Sequence, residues 1–245
     1  MTEPVPIKSV HHVELCVGNA KQAAYYYRKA FGFRQIAYLG PETGHRDRAS
    51  YVLEQGKIRF VITAPMGADH PCAEHQKKHG DGVIDVACRV KDADEAFQMA
   101  VSRGADVAVE PRTLEDDRGT VRHAAIRTYG DTIHSFYALE DYDGPHLPGY
   151  DPLVIEEESA GLWRIDHIVG NVEENRMNHW VDWYRDVMGF DKFLSFDDKD
   201  ISTEFTALRS TVMSAPHAAL KMPINEPADG RKKSQIEEYI EFYDG

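Results

Sequence analysis

The sequence predicts an α+β fold built from repeated βαβββ modules, and three observations carry that prediction. "HHVELCVGNAKQAAYYYRKAFGFRQIAYL", starting at His11, and "DHIVGNVEENRMNHWVDWYRDVMGFDKFLSF", starting at Asp166, pass through the same series: histidine, apolar strand, short turn, helix, Tyr-Arg, then Gly-Phe and a second strand. His12 to Gly32 spans 20 residues and His167 to Gly189 spans 22, so one short insertion before the helix aligns the two copies. A related unit, "GDGVIDVACRVKDADEAFQMAVSRGADV", lies between them.

In the first copy Val13, Leu15 and Val17 alternate as one face of a strand, Asn19 is placed to cap a helix, and Gly32 stands where that helix should stop. "KIRFVITAP" (57–65) supplies a later strand of the module. The middle unit has a β-rich run, an acidic helix start and an Arg-Gly stop, and "RHAAIRTYGDTIHSFYAL" (122–139) supplies its later strands. Residues 141–161 are rich in Pro, Gly and acids and read as a linker. In the second copy "RIDHIVGNV" (Arg164 to Val172) reads as a buried strand with Ile165, His167 and Val169 on one face and Asp166 on the other. Met177, Trp180, Val181, Tyr184 and Met188 then form a helical apolar stripe before Gly189. A trailing helix is announced by the Ser234–Glu237 capping-box pattern and the stripe Ile236, Tyr239, Ile240, Tyr243. The expected organisation is an N-terminal domain of two modules (1–140), a linker (141–161), and a third module with its trailing helix (162–245).

Composition narrows the function classes. The chain has 245 residues, 42% of them hydrophobic, enough to bury a sizeable core. A net charge of −13, from 41 acids against 28 bases, argues against nucleic acid or an anionic membrane as partner. No signal-peptide core and no membrane-length apolar run is present, so a cytoplasmic protein is expected. Cys16, Cys72 and Cys88 fit no disulfide framework or zinc spacing and are read as free thiols; Cys16 and Cys88 lie in apolar strand runs, where thiols are inert. No serine-histidine-acid or cysteine-histidine order suggests nucleophilic catalysis.

Paired βαβββ modules with a strand histidine resemble the vicinal oxygen chelate superfamily, in which modules curl into half-open barrels around a metal. "IDHIVGNV", "WYRDVMGF", "STEFTALRS" and "KMPINEPADGRKKSQIEEYIEFYDG" together resemble the 4-hydroxyphenylpyruvate dioxygenase family, and "NAKQAAYYY", "HGDGVIDVA" and "TYGDTIHSF" extend the likeness over nearly the whole chain. The resemblance implies Fe(II) held by two histidines and a glutamate, with 4-hydroxyphenylpyruvate, a 2-oxo acid, and O₂ converted to homogentisate and CO₂ in tyrosine breakdown. His167 matches the first iron ligand. The second histidine and the glutamate are expected beyond Gly245, with the fourth module, so this chain is expected to be an inactive fragment carrying three of four modules. The resemblance also places Ser210, Asn225 and Gln235 at the aromatic substrate pocket. From the residues alone, Ser210 reads equally as a turn hydroxyl, Asn225 as a turn former between Pro223 and Pro227, Gln235 as a helix-start residue, and His167 as a buried neutral core histidine.

Two rival functions are 4-hydroxymandelate synthesis on the same substrate and a metal-free binding protein on the same scaffold. A homo-oligomer is compatible with either. Within the N-terminal domain His12 aligns with His167, Asp85 takes the second-ligand position, Ser135 falls near the third, and His12 and Glu14 share a strand face. A serine for a carboxylate leaves that set short, and a metal-free N-terminal domain is expected. His11, His45, His70, His75, His79, His123 and His146 are assigned to loops, polar stretches or places beside Gly and Pro. "HPCAEHQKKH" reads as a solvated loop or helix and the basic "GRKK" (230–233) as a solvated loop.

Overall fold

In the computed structural model, which describes residues 3–196, 207–228 and 233–245, the chain follows the βαβββ order three times. The first module is β1 (Ile7–Cys16), α1 (Ala20–Phe31), β2 (Arg34–Leu39), β3 (Arg48–Gln55) and β4 (Ile58–Pro65). A short α2 (Pro71–His79) leads into the second module, β5 (Gly82–Val90), α3 (Ala93–Ser102), β6 (Val107–Asp116), β7 (Gly119–Arg127) and β8 (Ile133–Ala138). After β9 (Asp151–Ile155) comes the third, β10 (Gly170–Asn171), α4 (Met177–Asp186), β11 (Asp191–Phe196), β12 (Ala207–Ser214) and β13 (Lys221–Ala228), and then α5 (Gln235–Tyr243).

Each helix begins and ends for a local reason. Asn19 accepts the Gln22 N–H at the start of α1, and Gly32, at φ 69°, closes it in the left-handed conformation that costs glycine least. Asp92 caps α3 through the N–H groups of Asp94 and Glu95. Ser234 and Glu237 form the expected reciprocal box at α5. No side chain of its own N-cap residue serves α4; the buried Glu226 of β13 accepts the Met177 N–H at 3.0 Å instead, while Arg209 neutralises it at 2.9 Å.

The strand order β6-β7-β8-β5-β1-β4-β3-β2-β9 joins the first two modules through the antiparallel seam β1–β5, and each module pairs its first strand with its last in parallel. Ala37, Leu39, Val52 and Val61 of the first module cluster with Ala87, Val121 and Tyr137 of the second, so this sheet curls until its two halves share one interior. The third module repeats the pattern as β10-β13-β12-β11. Its Tyr184, Met188, Phe190, Met213 and Met222 pack with Cys88, Phe97, Ile126 and Phe136 of the second module in a common core. Tyr184 is fully buried, and its hydroxyl meets His134 Nε2 at 2.8 Å and Thr128 Oγ1 at 3.2 Å.

Several sequence expectations change. Residues 141–161 are not all connector, because β9 pairs antiparallel with β2. The chain that follows is pinned: Glu157 takes Arg28 at 2.5 Å and Lys29 at 2.7 Å, Gln55 Oε1 accepts both the Ser159 hydroxyl and the Leu162 N–H at 2.9 Å, and the Lys57 N–H donates to the Trp163 carbonyl at 2.6 Å. Cys16 and Cys72 are not free thiols; a disulfide joins the end of β1 to the start of α2, a pairing made by tertiary approach that a spacing of 56 residues does not announce, while Cys88 is free and buried. His11 lies within β1 and His123 within β7 rather than in loops, and His123 and His146 are buried. "HPCAEHQKKH" is α2, with His79 buried against Asp131 at 2.6 Å. Of "GRKK", residues 230–232 lie outside the described residues, as do residues 202–206 of "STEFTALRS"; Lys233 pairs with Glu241. Among the described residues no helix is long and apolar enough to cross a membrane.

Candidate functional site

A further correction concerns the strand that carries His167. Residues 160–169 lie outside any strand, and β10 is only Gly170–Asn171. The reason lies in the topology: β1 has β4 on one side and β5 on the other, whereas among the described residues β10 has only β13 beside it. The Ile168 N–H still reaches the Lys221 carbonyl at 3.0 Å, which holds the segment along β13 without completing a ladder. His167 is accordingly half exposed, at 51%, and not a core residue.

This placement sets His167 at the rim of a cavity of about 330 Å³ on the open face of the second sheet. Period-2 geometry builds the cavity: Lys221, Pro223 and Asn225 of β13, Leu208, Ser210 and Val212 of β12, and Leu194 and Phe196 of β11 present alternate side chains to it, joined by Phe193. Ser210 and Asn225 face one another in register across β12–β13. His167, Ser210 and Asn225, singled out separately in the sequence, therefore converge on one concavity. Gln235 does not join them: the Ser234 box sets the start of α5 so that Ile236 turns inward and Gln235 is exposed, outside the cavity lining.

Two polar features give the cavity chemical direction. Asn225 Oδ1 is buried and has no hydrogen-bond partner, an acceptor already taken out of water and offered to a ligand. Asp166, expected on the opposite face, lines the same cavity and binds the imidazole through Oδ2 to Nδ1 at 2.9 Å, while the Lys221 ammonium donates to both its oxygens at 2.9 and 3.0 Å. The hydrogen bonds from His167 and Lys221 hold the Asp166 carboxyl at about 2, so it is ionised at neutral pH. With Nδ1 engaged by a carboxylate, Nε2 is the nitrogen left for a metal, the usual arrangement of an oriented ligating imidazole. Lys221 and the aromatic wall of Phe193 and Phe196 went unnoticed in the sequence; the i, i+2 spacing of Lys221, Pro223 and Asn225 was the signal that could have found the first.

His167 thus fits one position in the ligand set of an iron ion. Among the described residues no group of three metal-capable side chains includes it, and a single imidazole does not hold an iron in defined geometry. The groups that do assemble lie elsewhere: His11, His12 and His146; His12, Glu14 and Asp85; and His79, Asp131 and Asp244.

Residues 1–152 match the family model described as the N-terminal part of hydroxyphenylpyruvate dioxygenase. The chain is 46% identical over 245 residues to 4-hydroxyphenylpyruvate dioxygenase of Yarrowia lipolytica, a match covering 96% of this chain and 62% of that protein. It is 48% identical over 243 residues to 4-hydroxyphenylpyruvate dioxygenase of Xenopus tropicalis, again covering 96% of this chain and 62% of the relative. A solved triple mutant of 4-hydroxymandelate synthase from Streptomyces coelicolor superposes with a TM-score of 0.83 at 24% identity, covering 98% of this chain and 68% of that one, a likeness of fold. The chain thus spans about three fifths of the length of the curated relatives it matches.

Proposed function

The chain belongs to the 4-hydroxyphenylpyruvate dioxygenase family, and from that premise we propose that it carries the substrate-facing part of an Fe(II)-dependent dioxygenase that converts 4-hydroxyphenylpyruvate and O₂ to homogentisate and CO₂. The observation that supports this reading best is the convergence of His167, Ser210 and the unpaired Asn225 Oδ1 on one cavity with an aromatic wall.

Ferrous iron, when bound, supplies the centre at which the 2-oxo acid and O₂ meet. The roles of this chain's residues follow from their positions. Phe193, Phe196, Leu208 and Val212 enclose an aromatic ring and exclude water from it, while the Ser210 hydroxyl and the Asn225 amide fix its polar groups by hydrogen bonds. Asp166 orients His167 and keeps Nε2 directed away from itself; Lys221 holds Asp166 in place by donating to both its oxygens. The remaining iron ligands, a second histidine and a glutamate, are proposed to belong to sequence of the kind the relatives carry outside the matched 62%. On this reading the 245-residue chain binds the aromatic acid and leaves it unconverted. The proposed setting is the cytoplasm with small-molecule partners, in keeping with a charge of −13 that opposes nucleic acid and anionic membranes.

Calorimetric titration of the chain with 4-hydroxyphenylpyruvate, beside oxygen uptake and product chromatography in the presence of Fe(II), tests the proposal. Binding weakened by about tenfold in Ser210→Ala and in Asn225→Leu, without homogentisate, is expected, since each substitution removes about one hydrogen bond to a buried ligand. Absence of binding, or an affinity in both variants unchanged from that of the parent, would refute the pocket assignment, and 4-hydroxymandelate as the product would refute the dioxygenase reading.

A further inference from the structure

The short helix α2 packs against β1, β4, β5 and α5, and its two ends do different work. Cys72, in its first turn, is bound to Cys16 at the end of β1, while His79, its last residue, faces the end of α5. We propose that the Cys16–Cys72 disulfide is a redox-sensitive clasp: a dithiol reductant opens it, loosens α2 and thereby releases the end of α5.

The composition of α2 explains why it depends on the disulfide. A helix of nine residues is too short to be stable alone, and "PCAEHQKKH" has little apolar surface to bury: its buried residues are Cys72 and His79. The polar ties at its start and middle are slight. His70 accepts the Cys72 N–H at 3.1 Å, and Gln76 donates to Asp81 at 2.6 Å in an exposed position. The covalent link, by contrast, joins residues 56 apart in sequence and fixes the start of the helix to the sheet. With the sulfurs separated, that end keeps the His70 cap and the contact of one small side chain.

The other end of α2 carries α5. His79 Nδ1 lies 3.1 Å from the Phe242 carbonyl oxygen, and Lys78 joins Asp244 at 2.8 Å to Asp131 at 2.7 Å. Helix α5 packs in turn against β10 and β13, the strand that carries Asn225, so the clasp reaches the border of the second sheet. Cys16 and Cys72 are covered, at 0% and 1% exposure, but residues 66–69, which lead into α2, are exposed. Local opening there admits the reductant. One thiolate of the dithiol attacks a sulfur, the S–S bond breaks, and the displaced protein thiolate takes up a proton. The second reductant sulfur then closes the reductant's own disulfide and releases the other protein thiol, so two electrons and two protons pass to the protein. Where thiols are kept reduced, as in the cytoplasmic setting proposed above, disulfides are of the transient, redox-responsive kind. Cys88 takes no part: it is free and buried in the core, and burial pushes its thiol up.

The test uses the full 245-residue chain without ligand or metal, so it stands apart from the cavity reading. Amide hydrogen exchange read by mass spectrometry compares the chain before and after dithiothreitol, with thiols counted by alkylation of the denatured protein. One alkylated cysteine is expected before reduction, Cys88, and three after it. Exchange in α2 and α5 should rise about tenfold on reduction, the weight of about one lost hydrogen bond, while α3, which touches neither cysteine, keeps its rate. Cys72→Ala should exchange at the fast rate with or without dithiothreitol; if that variant does not fold, the reduced parent carries the test. Three alkylated cysteines before reduction, a disulfide that dithiothreitol leaves intact, or α5 exchange unchanged after reduction would overturn the clasp. So would an equal rise in α3, which would make the disulfide a cross-link of the whole fold.

Discussion

Replacing Tyr184 with phenylalanine isolates one hydroxyl at the junction between the second and third modules. The direction of each hydrogen bond there follows from chemistry. His134 Nδ1 faces the Val86 carbonyl at 3.0 Å and must donate to it, so Nε2 is the acceptor and receives the Tyr184 O–H; the Thr128 hydroxyl then donates to the Tyr184 oxygen. Tyr184→Phe keeps the ring contacts with Phe190 and Trp183 but leaves a buried acceptor on His134 and a buried donor on Thr128. The His134 bond at 2.8 Å is the stronger loss; with about 1 kcal/mol for the net bond and a further 1–2 kcal/mol for the stranded ring nitrogen, the destabilisation should be about 2–3 kcal/mol. In urea, with a slope of about 3 kcal/mol/M, the midpoint should fall by about 1 M at unchanged slope. A shift below about 0.2 M would refute the account, because it would mean that water replaces the hydroxyl at a site the fold is said to keep dry.

Three further outcomes follow from other sites. Burial holds His134 at about 4, below its ordinary 6.5, so the unfolded chain takes up a proton first as the pH falls; its stabilising contribution is complete above about 6.5 and is lost progressively between there and 4, by about 3 kcal/mol. Denaturation midpoints measured from pH 7 to 4 should therefore decline, and a His134→Asn variant with a slope as steep as the parent's would count against this residue as a cause. Gly32→Ala should cost well over 1 kcal/mol in thermal melts, because a Cβ there would lie 2.3 Å from the Glu158 carbonyl oxygen in addition to the left-handed backbone; a loss of under 0.5 kcal/mol would show that the strap at Glu158 yields freely. Asn225→Leu removes a buried acceptor without a partner, so the ligand-free chain should gain about 1 kcal/mol while its affinity for the aromatic acid falls; a loss of stability would show that the amide is satisfied in the free protein.

What was legible in the sequence was what the chain decides locally. Asn19, Gly32, Ser234 and Glu237 are cap chemistry that acts within one helical turn, and all four do in the structure what their spacing implied. The βαβββ repeat was legible because each module writes its alternation and its helical stripe into contiguous residues. The misread features depend on neighbours distant in sequence. "RIDHIVGNV" has the alternation of a buried strand, but a strand also needs partners, and among the described residues β13 is the only one beside it. The Cys16–Cys72 pair and the burial of His123 and His146 are likewise made by the curl of the sheet. Asp166 was put on the wrong side for the same reason as His167: the strand geometry assumed for both is absent.

The pinned segment from β9 to Trp163 gives the cavity a mechanical character. It is fastened to the first module at Arg28, Gln55 and Lys57, and Ile165, two residues before His167, still packs against that module's core. Ser210 and Asn225 belong instead to a sheet whose helix is seated on the second module through Tyr184 and Met188. The two sides of the cavity therefore rest on different modules and are joined by the Ile168–Lys221 bond, the two hydrogen bonds from Lys221 to Asp166 and the β10–β13 pairing. The spacing between the imidazole and the amide is thus a matter of register, set where the two supports meet along the β10–β13 edge.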